Sequence, residues 1–508
     1  MRRAYRVEQV RRIEAAAMAR FPEGTLMAEA AAGLASTCVD LLGGAYGARV
    51  VLLVGAGDNG GDALLAGALL ARRGAQVTAL LLAGSGHTHV ATLRGAGGRI
   101  EQVGGSWADA SLSAHRALER ADLVIDGIVG IGGTGGLRPD AAAVVEAIPV
   151  AALVVAVDLP SGIEPDSGEI LGPCVRADVT VAMGVMKPGL LVDPGAAAVG
   201  ALVLVTLPLA EEGEVPEVEA LDDSDIRLLL PGRTRHADKY ASGVVGIVAG
   251  SAQYPGAAVL AVAGAVHGGS GYTRFAGAFE SSAAVREAFP EVVQAPRGDR
   301  SWSVALEAAG RVQAWVVGPG LGTDEGAVDA VRAALVSDVP VLLDADALTV
   351  AADHPDLRTT IPARRAATVL TPHAGELARL LSATRGQDVP RSHVEEHRLA
   401  TAREAAAALG ATVLLKGSTT LVADPDPSVP VRANTTGGPW LASAGTGDVL
   451  SGLIGALLSR GLDPRDAASV GAHLHGRAGF AVARSVAESR GPAAQPTASE
   501  IAVGLGAH

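Results

Sequence analysis

The chain has 508 residues, 65 of them glycine and 27 proline, and its 54 acidic residues outnumber 41 basic ones to give a net charge of −13. This glycine and proline content lies below that of disordered chains, and the length predicts two to four domains, each able to bury a core. The acidic balance argues against a general nucleic-acid binder, which needs clustered Lys and Arg, but not against phosphate ligands held by backbone N–H groups.

In the N-terminal segment MRRAYRVEQVRRIEAAAMARF, Glu8 and Glu14 interrupt the apolar positions, which predicts an amphipathic helix and not a signal peptide. Beyond it, short β-branched runs alternate with Ala/Leu-rich helical stretches, the pattern of βαβ units around a parallel sheet buried on both faces. The predicted strands of the first half are Arg49–Val54, Gln76–Leu82, Leu123–Asp126, Leu153–Asp158, Val179–Met183 and Ala201–Thr206. An acidic stretch without apolar periodicity, Ala210 to Asp225, reads as a solvated linker and places the domain boundary there. The second half has predicted strands at Val244–Ala249, Trp315–Val317, Val341–Asp344, Thr368–Thr371, Thr412–Lys416 and Thr419–Ala423. Its longest uncharged run, Tyr240 to Thr273, could span a bilayer by length, but Pro255 and eight glycines make it strand, loop and helix. Cys38 and Cys174 are too few for a disulfide framework or a zinc cage and read as small buried hydrophobes.

Three strands of the first half end in glycine-flanked acids. Arg49–Val54 runs into GAGDNGGD (Gly55 to Asp62), which formally satisfies a dinucleotide-binding glycine pattern. The next strand ends without an acid for a ribose, and Asp58 and Asp62 would repel a pyrophosphate, so an ordinary dehydrogenase is not expected. Leu123–Asp126 leads into GIVGIGGTGG (Gly127 to Gly136), a second loop able to wrap phosphate with backbone donors, and Leu153–Asp158 leads into LPSG. Ligands bind beyond the carboxyl ends of the strands in open α/β sheets, where Asp126 and Asp158 would stand; each could otherwise simply cap the turn that follows it.

These features, with LMAEAAAG (Leu26 to Gly33) and MGVMKPGL (Met183 to Leu190), resemble the NAD(P)H-hydrate epimerase domain, the YjeF N-terminal or apolipoprotein A-I-binding-protein family. The resemblance implies epimerisation at C6 of hydrated NADH or NADPH and a monovalent cation, K⁺, held by Asn59, Asp126 and Ser161. It further implies that the hydrate contacts Asp58, Asn59, Gly60, Gly61, Asp62 and the loop Gly130, Ile131, Gly132, Gly133, Thr134, Gly135 and Gly136. Asp158 is the expected catalytic acid/base; Lys187 is a second candidate, with ion pairing to a carboxylate as its alternative role.

Near the C-terminus, AGTGD (Ala444 to Asp448) precedes a helix-periodic apolar run from Val449 to Leu458. Its glycines let backbone N–H groups converge at a helix N-terminus, an anion hole. Asp448 at its mouth is placed to take a proton from an attacking hydroxyl, the pairing that phosphoryl transfer requires; capping the helix is its alternative role. A Walker-type phosphate loop is absent, because Lys416 is followed by Gly417 and Ser418. With GPGLGT (Gly318 to Thr323), LLDADAL (Leu342 to Leu348), LTPHAGELARLL (Leu370 to Leu381), LLKGSTT (Leu414 to Thr420), GSAQYPGAAVLA (Gly250 to Ala261) and GGSGYTRF (Gly268 to Phe275), this stretch resembles the ribokinase-like superfamily, and within it the ADP/ATP-dependent NAD(P)H-hydrate dehydratases.

That resemblance implies hydrate contacts at Ala258, Gly322, His373 and Asp448, and nucleotide contacts at Lys416, Gly417, Ser418, Thr419, Thr420, Gly445, Thr446 and Gly447, with Mg²⁺ and ADP as co-substrate. His373 alone would read as a structural hydrogen-bonder. The expected protein is α/β throughout: an N-terminal Rossmann-like three-layer α/β/α domain over residues 1–215, and a C-terminal ribokinase-like α/β domain over 226–508. The expected function is bifunctional repair of hydrated NAD(P)H by a cytoplasmic homo-oligomer without nucleic-acid or membrane partners. The competing reading is a small-molecule kinase fused to a non-catalytic dinucleotide-binding module.

Overall fold

The computed structural model describes residues 1–82, 87–133, 135–211, 213–230, 243–295 and 297–506; Thr134, Glu212 and the start of the uncharged run at Tyr240 lie outside the described residues. The chain divides into two compact units, Arg3–Val218, and Glu219–His508 with Met1–Arg2.

The first unit carries a seven-stranded sheet in the order Arg99–Gln102, Gln76–Leu81, Arg49–Val54, Leu123–Gly127, Leu153–Val157, Val179–Met183, Ala201–Val205, with every pair parallel. Side chains of a strand alternate between faces, and Arg49–Val54 shows the consequence. Val50, Leu52 and Val54 enter one core with helices Thr25–Leu42 and Asp58–Arg72, while Val51 and Leu53 enter another with helices Leu112–Glu119 and Pro139–Glu146. Three layers result. The chain leaves Arg49–Val54 toward Gln76–Leu81 on one side and later returns to its other side at Leu123–Gly127. That reversal opens a crevice at the carboxyl ends of the two central strands.

The amphipathic N-terminal helix runs over Val7–Met18 and buries Val10, Ile13 and Ala17. Among the described residues one helix, Thr25–Leu42, is long and apolar enough to cross a membrane by length and composition, but its Ala30, Ala31, Leu34, Ala35 and Cys38 pack into the unit's core. Cys38 is buried as expected, whereas Cys174 is only partly so.

The second unit has parallel strands in the order Thr412–Leu415, Thr368–Leu370, Val341–Leu343, Ala314–Val317, Val244–Val248, Tyr272–Ala276, Val293–Gln294. Two antiparallel strands, Thr420–Ala423 and Val431–Asn434, extend it beyond Thr412–Leu415. The uncharged run is the strand, loop and helix expected, with helix Pro255–His267 following Val244–Val248. This helix crosses helix Thr446–Ser459 at a distance only glycine permits. A Cβ at Gly452 would lie 1.8 Å from the Ala261 carbonyl oxygen, and one at Gly264 would lie 2.0 Å from that of Val449.

Several expected strands end one residue early. Asp158, Asp344, Thr371 and Lys416 are each the first residue past the ladder, and at Asp158 the backbone turns to φ 67°. The expected linker is also more ordered than its composition suggests: Val218–Ala220 is a strand with Val218 and Ala220 buried, and Asp222 caps helix Asp223–Leu229. Strands Arg99–Gln102, Tyr272–Ala276 and Val431–Asn434 escape sequence reading because Arg99, Glu101, Arg274 and Arg432 interrupt their apolar runs.

Candidate functional site

Each unit gathers polar groups at the carboxyl ends of its strands. In the first unit, Asp58, Asn59, Gly60, Gly61 and Asp62 form the first turn of helix Asp58–Arg72 and not a loop. The Gly60 and Gly61 amides bond back to the Gly57 carbonyl. The helix start therefore presents the Asp58 and Asn59 N–H groups outward, as an anion-accepting terminus does.

Asn59 donates through Nδ2 to the Val157 carbonyl at 2.7 Å, which turns its Oδ1 against Gly130. A side chain at Gly130 would fall 2.2 Å from that oxygen, so the loop after Leu123–Gly127 can lie on Asn59 only with glycine there. Asp126 is fully buried. It accepts from the Ser161 amide at 2.9 Å, the Ser161 hydroxyl at 2.7 Å and the Ile128 amide at 3.2 Å. Burial outweighs these bonds and pushes its carboxyl up to about 6. Asp126 and Ser161 are thus hydrogen-bonded to each other, and Ser161 also bonds Val129 of the loop whose Gly130 lies on Asn59; among the described residues no cationic side chain is bonded to Asp126.

Asp158 sits across from them. Its Oδ1 accepts from the Met183 amide at 3.0 Å and from the Lys187 ammonium, both side chains being buried. Lys187 also donates to the Val185 carbonyl at 3.0 Å. Asp62 lies nearby, with Oδ1 buried and without a hydrogen-bond partner among the described residues. Burial first, then the charges of Asp158, Asp58 and Glu14, push its carboxyl up to about 8. Glu14, from the N-terminal helix, has its own carboxyl raised by burial against the pull of Lys187; no motif points to it.

Not every residue expected to meet substrate turns toward this cluster. Ile131 packs against Tyr5, Val10, Ile13 and Val185. The Gly136 backbone lies against Gly172, and Thr134 lies outside the described residues.

In the second unit, helix Thr446–Ser459 starts at Gly445, and Asp448 stands in its first turn. The Asp448 carboxyl is pushed up to about 7, first by burial and then by the Asp344 charge, with Lys416 pulling the other way. Lys416 donates to Asp344 Oδ1 at 2.8 Å and lies 3.7 Å from Glu376, while the Ser451 hydroxyl donates to Asp344 Oδ2 at 2.6 Å. Burial disfavours the Lys416 ammonium, yet Asp344, Glu376 and Asp448 outweigh it and raise its pKa. Asp344, Glu376 and Ser451 are partners to which sequence reasoning assigns no role, although the first two stand inside motifs quoted above.

Beside this network lies a cavity of about 300 Å³, lined by Lys416, Gly417, Ser418, Thr420, Thr446 and Gly447 among others. That volume is at the small end of the range for ligand sites. Thr419 is buried beneath the loop. Arg398 holds the loop from below, donating to the carbonyls of Leu415, Lys416 and Thr419. Gly322 donates its amide to Asp346 at 2.8 Å. Ala258 is completely buried in the core. His373 caps helix Ala374–Arg385: its Nδ1 accepts from the Gly375 and Glu376 amides at 3.0 and 3.1 Å, and its Nε2 lies 3.6 Å from the Glu376 carboxylate. Among the described residues no group of three or more His, Cys, Asp or Glu is placed to hold a metal ion.

The two segments of the chain match different families. Residues 23–189 match the YjeF-related protein N-terminus, and residues 245–500 match the NAD(P)H-hydrate dehydratase family. The bifunctional NAD(P)H-hydrate repair enzyme of Mycobacterium tuberculosis is 47% identical over 92% of this chain and 92% of its own. That of Mycobacterium leprae is 45% identical over 98% and 97%. The crystal structure of ADP/ATP-dependent NAD(P)H-hydrate dehydratase from Bacillus subtilis, co-crystallised with ATP and Mg²⁺, is 32% identical with a TM-score of 0.48, covering 56% of this chain and 95% of that one.

Proposed function

The chain belongs to the bifunctional NAD(P)H-hydrate repair enzymes, an epimerase followed by a nucleotide-dependent dehydratase, and from that premise we propose which residues do the work. We assign epimerisation to residues 1–215 and dehydration of the S-epimer to residues 226–508.

Dehydration needs the C6 hydroxyl turned into a leaving group. Asp448 takes the proton of that hydroxyl, and the oxygen attacks the terminal phosphorus of the nucleotide, displacing the shortened nucleotide. The ring-nitrogen lone pair then expels phosphate from C6, and loss of a proton from C5 restores the C5–C6 double bond; no redox step is involved. The observation that carries this assignment is the Asp448 carboxyl, held near 7 at a helix N-terminus beside the Lys416–Asp344–Ser451 network. A general base works best with a pKa near the operating pH. Lys416 and the amides around Thr446–Gly447 stabilise the phosphoryl charge. The two Asp344 oxygens are taken by Lys416 and Ser451, so Mg²⁺ fits as a companion of the nucleotide phosphates, which is its usual mode of binding, and it would supply charge neutralisation there. Gly322 and His373 are assigned to the hydrate; Ala258 supports the wall behind it.

In the epimerase, opening the C6–N bond takes a proton from the C6 oxygen and returns it on closure, while opening the C6–O bond delivers a proton to the leaving hydroxyl and removes one from the incoming water; either route needs an acid/base at that oxygen. Asp158, poised on a turn with Lys187 against it, is the group assigned to that role. K⁺ fits the oxygens of Asn59, Asp126 and Ser161, because the fully buried Asp126 carboxylate has no positive side chain among the described residues to neutralise it. The ion would anchor the Ile128–Gly136 loop over the dinucleotide. Two free cysteines and intracellular cofactor substrates support a cytoplasmic enzyme, and a symmetric homo-oligomer is the default assembly for such enzymes.

The test is a repair assay. Hydrated NADH is incubated with the full chain and ADP or ATP side by side, and the reduced-nicotinamide absorbance is followed. Recovery of the band with ADP is the expected outcome; a stable phosphoester without recovery would refute the dehydratase assignment.

A further inference from the structure

Helix Pro464–Arg490 places two histidines two residues apart, and they are treated differently. His473 has a partner, its Nε2 lying 2.8 Å from Asp223. His475 is only 3% exposed, and its Nε2 is buried without a hydrogen-bond partner among the described residues. His475 nevertheless lines the cavity of the second unit, on the same helix face as Ala472 and together with Leu441 and Leu450. A buried, unmet polar group is costly, so its presence in a cavity wall calls for a partner supplied from inside the cavity.

The chemistry of that partner follows from the state of the ring. Burial holds the imidazole neutral, titrating at about 4. A neutral imidazole has one N–H and one lone pair, and no charge to offer a phosphate. The anion-binding end of the cavity is already defined by Lys416 and the helix start at Thr446–Gly447. Beside Ala472, Leu441 and Leu450, an uncharged heteroaromatic ring with a polar edge matches both the apolar wall and the single hydrogen-bonding group.

We propose that His475 is the specificity residue for the nucleoside end of the nucleotide, hydrogen-bonding its purine and setting nucleotide affinity without contacting the hydrate. This rests on the reading of the cavity as the nucleotide site. The test is calorimetric binding of ADP, adenosine and pyrophosphate to the full chain and its His475→Leu, His475→Gln and Lys416→Ala variants.

His475→Leu is expected to weaken ADP and adenosine by about tenfold, the effect of one lost hydrogen bond to a buried group, and to leave pyrophosphate unchanged. His475→Gln restores ADP to within about threefold of the parent. Because the substitution by Leu removes an unmet polar group, the melting temperature of the ligand-free chain should not fall. ADP binding as in the parent, or equal losses for pyrophosphate and ADP, overturns the assignment. Should the Leu variant not fold, the Gln variant and a His475→Ala variant carry the same binding arms. If Lys416→Ala loses ADP while the His475 variants do not, only the His475 assignment fails; if Lys416→Ala binds ADP normally, the cavity is not the nucleotide site and both readings fall together.

Discussion

Replacing Asp448 with Asn sets stability against chemistry. The carboxyl has a folded pKa of about 7 against an ordinary value of 3.8, so the native state holds this proton more tightly than the unfolded chain does. As pH rises from about 4 to 7 the unfolded state loses its proton first, and the folded state is progressively destabilised. Above pH 7 the penalty is constant. At 1.36 kcal/mol per decade the full difference comes to about 4 kcal/mol, and partial access to cavity water reduces the expected effect to about 2 kcal/mol. The amide of the Asp448→Asn variant carries no charge at any pH, so the variant escapes the penalty.

Hydrogen exchange of the amides in helix Thr446–Ser459, compared between variant and parent at equal pH, reads the gain directly. Protection is expected to rise roughly thirtyfold at pH 8, with the free-energy gain shrinking to about half at pH 4.5. Dehydration should meanwhile fall by about 10²–10⁴-fold, as Asn cannot accept the hydroxyl proton. A gain independent of pH would show that the carboxyl is not destabilised by its surroundings, and dehydration within tenfold of the parent would remove Asp448 from the proton transfer.

Other perturbations have equally defined outcomes. Asp126→Asn should abolish the stimulation of epimerisation by K⁺ over choline, measured as the rate of epimer equilibration; retained stimulation would move the cation elsewhere. Gly452→Ala should destabilise the second unit by about 2–3 kcal/mol, read as a shifted denaturant midpoint, because its methyl meets the Ala261 carbonyl. Arg398→Met should raise the KM for nucleotide by about tenfold by releasing the Lys416–Thr419 loop, with the KM for hydrate unchanged; a parallel rise in both would make Arg398 merely structural.

Much of this architecture is legible in the chain because a parallel sheet writes itself as apolar runs. Arg49–Val54 and Val179–Met183 fall where their β-branched residues place them. The acids that follow such runs mark the sites, but their geometry is not local. Periodicity puts Asp158 inside its strand, whereas a left-handed turn lifts it off the ladder and toward Lys187. Asp344 meets Lys416 and Ser451 from 72 and 107 positions away, a convergence that no spacing rule encodes. Glu14 and His475 belong to helices whose sequences read as ordinary; only burial against a distant element distinguishes them.

Helix Thr446–Ser459 has twelve of its fourteen residues buried, so the segment to which we assign the nucleotide phosphates is also the central beam of its unit. Such a site cannot fray privately: opening it opens the core. Nucleotide bound there should therefore protect the whole unit by mass action, and a protease time course with and without ADP would show it. Turnover of the enzyme is then tied to the supply of its own co-substrate, with the ligand-free molecule cleared first.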